Sequence, residues 1–441
     1  MGGETSLRRA LAQDPALDGA LRALLGEAIP WVVERNARLQ PRLLLLMGSA
    51  AVGEASGVRC AGRILALSDL DLALFTERPG SADWKPATRI ALTEVFGARV
   101  RALGLTDDPL DIGLFPLPFF ARMPLTLELA EAIGHGARLW GETGCLDIRR
   151  GELPRTFEAL RLLGNRVRET LLPPLGRGWL TFDPPSAPAW GAAPDAAAWH
   201  EAHRWGKLVL DGAKAFLAAE GDLEPSLRAR CRWLGAAEEP GRGGEAAGAQ
   251  APAALQARLD PEALRQIERW TAWRLAPAWP PPPIELGAIA RVGRAVLART
   301  AAAGGIPDIS LPSRATWLRL LSQEGGSARE RLRSWSRLCR TRGPGDPREA
   351  GLRLAIGWGR RAWPVSLATL ALAAAWLAAI DGADEDGAGA GDGDGDGHGY
   401  ALRRWLRAEI PHCRGASRAS WDDSWSEAFR RWFAWLAAAG V

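Results

Sequence analysis

The sequence predicts an α+β protein in which a small mixed-sheet domain precedes an all-α C-terminal region. Short apolar runs typical of buried strands lie in the first third of the chain. Helical periodicity dominates the remainder. At 441 residues the chain is longer than a usual single domain, so two or three units are expected.

The predicted N-terminal domain covers residues 1–148 and alternates helices with strands. It begins with a helical stretch at Ser6–Arg38, whose apolar residues recur with a period near 3.6. The remaining elements predicted for this domain are strands at Leu43–Met47, Leu65–Phe75 and Leu110–Phe115, and a helix at Pro86–Leu103.

The C-terminal part is predicted as two helical regions joined by a flexible linker. The first helical domain covers 149–235, and the linker at 236–254 is rich in Gly and Ala. The second helical region covers 255–441 and is interrupted by an acidic Gly-Asp tract at 381–399, which is expected to be a disordered loop. Most of the 21 tryptophans lie in the helical half, where their scatter favours packing between helices over a base-stacking groove.

The charge distribution suits a phosphate-bearing ligand. The net charge is +4, but the 381–399 tract carries seven acidic residues and no basic one, so the rest of the chain is at +11. This excess is too small and too scattered to indicate nucleic acid by itself, and no DNA partner is expected.

The cysteines and the N-terminus predict a reduced, cytoplasmic protein. The five cysteines are far apart and odd in number, with no CxxC pair, and the first residues lack the apolar core of a signal peptide. Residues 362–380 are uncharged, but they contain Pro364 and eight alanines. That composition favours a buried Ala-rich helix over a membrane span, so no membrane partner is expected.

Three carboxylates on predicted strands indicate a metal and nucleotide site. Asp69 and Asp71 are two residues apart, so in a strand they point to the same face, and Asp111 lies in a later strand. Mg²⁺ takes hard oxygen ligands, and two such ions can clamp both sides of a phosphoryl displacement. The pattern therefore predicts that Asp69, Asp71 and Asp111 hold two Mg²⁺ ions against a nucleoside triphosphate.

Small residues near these carboxylates are predicted to contact the triphosphate. The tight turn Gly48-Ser49 follows the first strand, and its backbone N–H groups and hydroxyl can approach the β- and γ-phosphates. Gly53 permits a further close approach, and Ser68 precedes Asp69 directly. These four residues form the predicted nucleotide-binding set.

The order Gly-Ser, spacer, Asp-x-Asp and strand Asp resembles the polymerase-β-type nucleotidyltransferase superfamily. The resemblance implies that Asp69 and Asp71 bind both metals. It also implies that Asp111 helps to bind one metal and activates the acceptor hydroxyl, with Gly48 and Ser49 on the phosphates.

The spacer between Gly48 and Asp69 and two further segments point to a smaller group of proteins within this superfamily. Gly48 and Asp69 are 21 positions apart, and residues 53–63 look like a hairpin insertion. This longer form is similar to bacterial nucleotidyltransferase-domain proteins with a helical C-terminal half. Leu139–Glu142 and Ala159–Arg166 agree with it, and the resemblance covers residues 40–220.

The first helical domain contains three candidate nucleotide or metal contacts. Each has an ordinary structural alternative, a solvent-exposed helix face or packing between helices. In related enzymes a helical domain closes over the nucleotide with a basic residue, which favours Lys207 as a triphosphate contact. Asn165 and Arg166 border the cleft in the same interpretation. His200 and His203 are three residues apart and could share a metal, but no third ligand is evident.

The sequence therefore predicts a Mg²⁺-dependent nucleotidyltransferase. It would move a nucleoside monophosphate, with AMP from ATP favoured over other NTP donors, onto a hydroxyl of a small molecule, a protein or an RNA end. Pyrophosphate would be released. The alternative is a catalytically silent module on the same fold that senses nucleotides or neutralises a toxin.

Overall fold

The computed structural model describes seven continuous ranges and nine further positions between 153 and 190. The ranges are 9–81, 84–105, 109–120, 126–147, 194–221, 226–234 and 259–303. The predicted linker at 236–254, the uncharged stretch at 362–380, the acidic tract at 381–399 and Asn165 lie outside the described residues.

The first helix forms where the sequence supplies both a cap and an apolar stripe. Helix α1 spans Pro15–Arg35, and the Asp14 carboxylate caps it by accepting from the backbone N–H groups of Ala16 and Leu17. Proline at the first helical position lacks an N–H that would be unsatisfied there in any case. The helix thus begins at Pro15, later than the predicted Ser6.

The N-terminal domain contains six strands and four further helices within the described ranges. In chain order these are β1 (Pro41–Leu46), α2 (Gly48–Ala51), β2 (Gly57–Cys60), β3 (Arg63–Ala66), β4 (Leu70–Thr76), α3 (Trp84–Ala102), β5 (Leu110–Pro116), α4 (Leu117–Phe120), α5 (Leu127–His135) and β6 (Ala137–Gly141).

Four of these strands form a mixed sheet, in which β1, β4 and β5 correspond to predicted strands and β6 was not predicted. Their order is β5-β4-β1-β6, with β1 antiparallel to both neighbours and β4 parallel to β5. Strands β2 and β3 form a separate antiparallel hairpin, as the insertion predicted. The sheet and the later helices confirm the α+β fold class.

The two faces of the sheet have different neighbours. Leu44, Leu72 and Ile112 share a core cluster with residues of α1 and α3. Residues of opposite parity, including Leu45 and Phe75, pack in a second cluster on the other face with α4 and α5. Because side chains alternate along a strand, positions 71 and 111 belong to this second face.

The predicted strand Leu65–Phe75 is in fact two strands with a turn between them. Strand β3 ends at Ala66, and the N–H groups of Leu67 and Ser68 both donate to the Ser56 carbonyl oxygen, at 2.9 and 3.2 Å. The next strand, β4, begins at Leu70 and belongs to the four-stranded sheet. Asp69 therefore lies just before β4 and not within a strand.

Four helices follow the sheet domain in the described ranges. They are α6 (Ala196–Glu220), α7 (Leu227–Trp233), α8 (Pro261–Leu275) and α9 (Leu286–Ala303). Helices α8 and α9 both pack on α6. Gly206 lets α6 approach α8, since a Cβ there would lie 2.8 Å from Cε3 of Trp270.

Tryptophans fill the contact between α6 and α8. Trp199 stacks on Trp273 with ring centroids 6.1 Å apart, and Trp270 meets Trp273 edge-on at 5.2 Å. All three are buried, which confirms the packing interpretation for these residues.

The described residues contain no membrane-spanning helix and no disulfide bond. None of the described helices is long and apolar enough to cross a membrane. Cys60, Cys145 and Cys231 are free thiols, and Cys339 and Cys413 lie outside the described residues.

Candidate active site

Asp71 and Asp111 lie directly opposite each other in the parallel ladder of β4 and β5. Paired residues in a parallel ladder point the same way. Both carboxylates therefore lie on the second face of the sheet, and each belongs to the second residue of its strand. Asp69 precedes β4, and its side chain is 58% exposed. The structure thus brings the three predicted carboxylates to one end of two neighbouring strands.

The Gly48 turn lies against Asp71 because β1 runs antiparallel to β4. Leu46 pairs with Leu72, and the N–H of Met47 donates to the Asp71 carbonyl oxygen at 2.8 Å. Gly48 has φ +67°, and a Cβ there would lie 3.0 Å from Oδ2 of Asp71. Glycine therefore serves two needs, the left-handed backbone and the space beside the carboxylate.

The electrostatic surroundings of Asp71 oppose ionisation of its carboxyl group. Burial raises its pKa to about 6, and the negative charges of Asp69 and Asp111 add to the rise. Lys207 and Arg166 act in the opposite direction. A positive ion at this position would relieve the repulsion that these carboxylates now exert on one another.

Two of the three lysines in the chain contact the outer carboxylates. Nζ of Lys207 lies 3.8 Å from Oδ2 of Asp69, and Nζ of Lys85 lies 3.4 Å from Oδ2 of Asp111. Both ion pairs are well exposed to solvent, so they are readily exchanged for other partners. A metal ion would compete with these ammonium groups for the carboxylates. A substrate phosphate would compete with the carboxylates for the ammonium groups.

One face of α6 carries two lysines that contact acidic residues of the sheet domain. Lys207 contacts Asp69, Asp211 pairs with Arg166, and Nζ of Lys214 lies 2.6 Å from Oε2 of Glu131 in α5. Burial opposes ionisation of Asp211, but Arg166 and Lys214 hold its pKa below the ordinary value. Lys214 is mostly buried, so Lys207 is the more accessible lysine on this face.

The carboxylates suit Mg²⁺ in chemistry, although they are not gathered around a single point. Among the described residues no group of three or more His, Cys, Asp or Glu side chains is arranged to hold a metal ion. The site does supply the oxygen donors that Mg²⁺ takes, and the space beside Gly48 adjoins one of them. Cation binding would need the two lysines to release Asp69 and Asp111.

The other members of the predicted nucleotide-binding set have different surroundings. Ser49 is half-buried in α2, and its carbonyl oxygen accepts from the N–H of Glu54 at 2.8 Å. Gly53 has φ +79°, and a Cβ there would lie 2.8 Å from the Ala10 carbonyl oxygen. Gly53 is thus required where the N-terminal segment passes close by.

Ser68 lies in the protein interior. It is only 3% exposed, and its hydroxyl oxygen accepts from the N–H of Ser56 at 2.8 Å and from Nη2 of Arg274 at 2.9 Å. Its hydroxyl is therefore engaged by protein donors on the side of the turn away from solvent.

The two histidines on α6 lie in different environments. His200 is exposed, whereas His203 is buried and neither of its ring nitrogens has a hydrogen-bond partner among the described residues. Burial lowers the pKa of His203 well below its ordinary value, and the charges of Arg274 and Lys207 act in the same direction. His203 is thus a neutral interior group.

Two residues near the site were given no role from the sequence. The buried carboxylate of Glu54 accepts from Oγ of Ser226 at 2.8 Å and from the N–H of Leu227 at 2.6 Å, so it caps α7. Arg274 reaches Ser68 from α8. Glu54 directly follows the predicted Gly53, but nothing in the sequence distinguishes Arg274 among 52 arginines.

A small apolar cavity lies elsewhere, between α6, α8 and α9. Its lining includes Leu208, Gly212, Gln266 and Val292. None of the carboxylates or the small residues of the candidate site lines it, so it adds nothing to their chemistry.

The chain matches no protein-family model, no curated protein and no solved structure. The resemblance to nucleotidyltransferases therefore depends on the residues of this chain alone.

Proposed function

We propose that this protein is a Mg²⁺-dependent nucleotidyltransferase. It transfers a nucleoside monophosphate, AMP from ATP in the favoured case, to a hydroxyl of an acceptor and releases pyrophosphate. The observation that carries the proposal is the alignment of Asp71 and Asp111 across β4 and β5, with the Gly48 turn directly against Asp71.

The carboxylates and the turn have distinct roles in this proposal. Asp69, Asp71 and Asp111 would hold Mg²⁺, which neutralises charge on the triphosphate and on the departing pyrophosphate. Gly48 and Ser49 present a surface of small side chains to the phosphates. The ammonium group of Lys207 is close enough to exchange Asp69 for a triphosphate oxygen.

Asp111 is the candidate base for the acceptor. Its side chain is 43% exposed and lies on β5, the edge strand of the sheet, so an acceptor can approach it from solvent. The acceptor hydroxyl gives its proton to the Asp111 carboxylate as its oxygen bonds to the α-phosphorus. The bond from the α-phosphorus to the bridging oxygen breaks, and pyrophosphate leaves.

Labelled NTPs incubated with the protein, Mg²⁺ and a cell lysate test this proposal. The wild type is expected to release pyrophosphate and to label an acceptor, whereas the double variant Asp69→Asn, Asp71→Asn is expected to do neither. Glu77→Gln is a suitable control because Glu77 is an exposed carboxylate just past the far end of β4. Pyrophosphate release by the double variant at the wild-type rate would overturn the assignment.

One observation favours a second candidate, a catalytically silent nucleotide-sensing or toxin-neutralising module. Lys207 and Lys85 already pair with the two outer carboxylates, so much of the negative charge of the site is offset without a metal. A thermal shift with ATP in the presence and absence of Mg²⁺ separates the two candidates. Stabilisation that needs Mg²⁺ supports the transferase, and equal stabilisation in EDTA supports the silent module.

A further inference from the structure

Arg274 is a buried cation that reaches from α8 to the turn before Asp69. It is 5% exposed, and its Nη2 donates to Oγ of Ser68 at 2.9 Å. Within the described ranges it forms no ion pair within 4.0 Å, and its Nη1 has no hydrogen-bond partner. The contact with Ser68 is thus its one hydrogen bond among the described residues.

Ser68 and Ser56 hold each other in a reciprocal pair. The N–H of Ser68 donates to the Ser56 carbonyl oxygen at 3.2 Å, and the N–H of Ser56 donates to Oγ of Ser68 at 2.8 Å. A hydroxyl oxygen has two acceptor lone pairs. Ser56 uses one of them, and Arg274 uses the other.

The position of Asp69 depends on this turn because its own side chain is loosely held. The backbone is fixed on one side by Ser68 and on the other by the N–H of Leu70, which donates to the Pro109 carbonyl oxygen at 2.7 Å. The Asp69 carboxylate has one contact within the described residues, the exposed pair with Lys207 at 3.8 Å. The backbone at Ser68 therefore decides where the carboxylate lies.

Stability alone does not account for Arg274. Burial lowers its pKa to about 10, against the attraction of Asp69 and other carboxylates, so it is charged at neutral pH. A buried charge with one nitrogen unsatisfied is costly, and an apolar side chain of similar size is often as stable or more so. A role in placing the turn explains a charge that packing does not require.

We infer that Arg274 is a positioning residue, which fixes the Ser68 turn and thereby directs Asp69 toward Asp71. The inference rests on the proposed function only in its consequence for metal binding. The turn itself can be tested without any activity. Arg274→Met keeps most of the apolar volume and removes the hydrogen bond, and Ser68→Ala removes the acceptor.

Hydrogen exchange of the full-length chain measures the turn directly. The amides of Leu67, Ser68 and Leu70 are hydrogen-bonded, so peptides that contain them report on it. Arg274→Met is expected to exchange there about tenfold faster, the factor that matches the loss of one charged hydrogen bond. Ser68→Ala is expected to exchange at least as fast, because it also removes the acceptor of the Ser56 N–H. The control is Arg265→Met, which removes an exposed arginine from the same helix, where it pairs with Glu262.

The double variant, with both Arg274→Met and Ser68→Ala, tests whether Arg274 acts through Ser68. If it does, the double variant exchanges no faster than Ser68→Ala alone, which already lacks both hydrogen bonds to Oγ of Ser68, whereas independent packing effects would add. Additive effects, or unchanged exchange at the turn in Arg274→Met, would overturn the inference. If Arg274→Met does not fold, unchanged exchange at the turn in Ser68→Ala overturns it equally.

Mn²⁺ binding, measured by electron paramagnetic resonance, connects the turn to the site. Arg274→Met and Ser68→Ala are expected to bind Mn²⁺ about tenfold more weakly than the wild type, in proportion to the lost hydrogen bond. Equal affinity in wild type and variants overturns the positioning role. If the wild type binds no Mn²⁺ but the exchange results hold, the metal-dependent function fails while Arg274 still fixes the turn.

Discussion

Asp71 and Asp111 are register partners on parallel strands, and they share a face of the sheet with Phe75 and Phe115 at the far end. The strands thus carry a pair of charged residues at one end and stacked aromatic rings at the other. The rings belong to the apolar cluster at the far end of this face. Lys207 of α6 approaches the end that carries the carboxylates, where it pairs with Asp69.

Asp71→Asn is expected to stabilise the protein in metal-free buffer at neutral pH. The ordinary pKa of 3.8 is raised to about 6 by burial and by Asp69 and Asp111. The native state therefore binds the proton more tightly than the unfolded chain, and native stability falls as pH rises between these two values. After allowance for solvent screening, the gain at pH 7.5 is about 1–2 kcal/mol.

The measurement is urea unfolding in EDTA at pH 7.5 and at pH 4. The difference between Asp71→Asn and the wild type should be present at the higher pH and largely lost at the lower one. Glu77→Gln serves as a control, because that carboxylate is exposed, pairs with Arg42 and is not among the charges that raise the pKa of Asp71. A loss of stability in Asp71→Asn at pH 7.5 would contradict the repulsion described above.

Lys207→Met and Lys214→Met are expected to affect different properties, ATP affinity and stability respectively, although both lysines lie on one face of α6. Lys207 forms an exposed pair with Asp69, so its loss should change the free energy of unfolding by less than about 1 kcal/mol. If it contacts the triphosphate, ATP affinity should fall at least about tenfold. Lys214 is 14% exposed and its partner Glu131 is 13% exposed. Its loss leaves Glu131 buried and unpaired, which should cost about 3 kcal/mol.

Urea unfolding and ATP titration of the two variants separate a ligand contact from a structural contact. An ATP affinity in Lys207→Met equal to that of the wild type would remove Lys207 from the nucleotide site. A Lys214→Met variant as stable as the wild type would show that the pair with Glu131 is not held in solution.

Glu54→Gln is expected to loosen α7 from the sheet domain. The carboxylate accepts from Oγ of Ser226 and from the N–H of Leu227, and a neutral amide can replace only part of this. The loss should be about 1–2 kcal/mol, as for hydrogen bonds to a charged group. Urea unfolding measures it, and faster amide exchange at Leu227 should accompany it.

Glu77→Gln is the matched control for Glu54→Gln. Glu77 also loses a charge, but its pair with Arg42 is exposed, so a change of no more than about 0.5 kcal/mol is expected. If both substitutions change stability equally, the cap on α7 contributes nothing particular.

Three of the four strands of the sheet were predictable from the sequence because local pattern determines them, whereas β6 was not predicted. The apolar run at 43–47 and the segment at 110–115 both became strands, β1 and β5, within two residues of the predicted bounds. The break between β3 and β4 was missed, because Leu65–Phe75 is apolar and the turn depends on hydrogen bonds to Ser56. The periodicity of apolar residues gives no information about a hydrogen bond to a residue twelve positions away in the sequence.

The site itself was predictable in part. Asp71, Asp111 and Gly48 meet because strand pairing brings them together, and the residue types indicated that chemistry in advance. The predicted contacts of Lys207 and Arg166 with a nucleotide stay predictions, but the charges of both residues lower the pKa of Asp71. Arg274 was missed because its partner lies in another domain, and only the tertiary fold makes the contact.

Gly48→Ala is expected to destabilise the protein and to weaken divalent-cation binding, and Gly62→Ala separates the two effects. Both glycines have left-handed backbones, with φ +67° and +77°, so alanine at either position should cost about 1–2 kcal/mol in strain. Only at Gly48 does a Cβ meet the site, 3.0 Å from Oδ2 of Asp71, whereas nothing lies within 4 Å at Gly62. Mn²⁺ affinity should therefore fall in Gly48→Ala and stay at the wild-type value in Gly62→Ala. Equal Mn²⁺ affinities in the two variants, with similar losses of stability in urea, would mean that the Gly48 turn does not border the cation site.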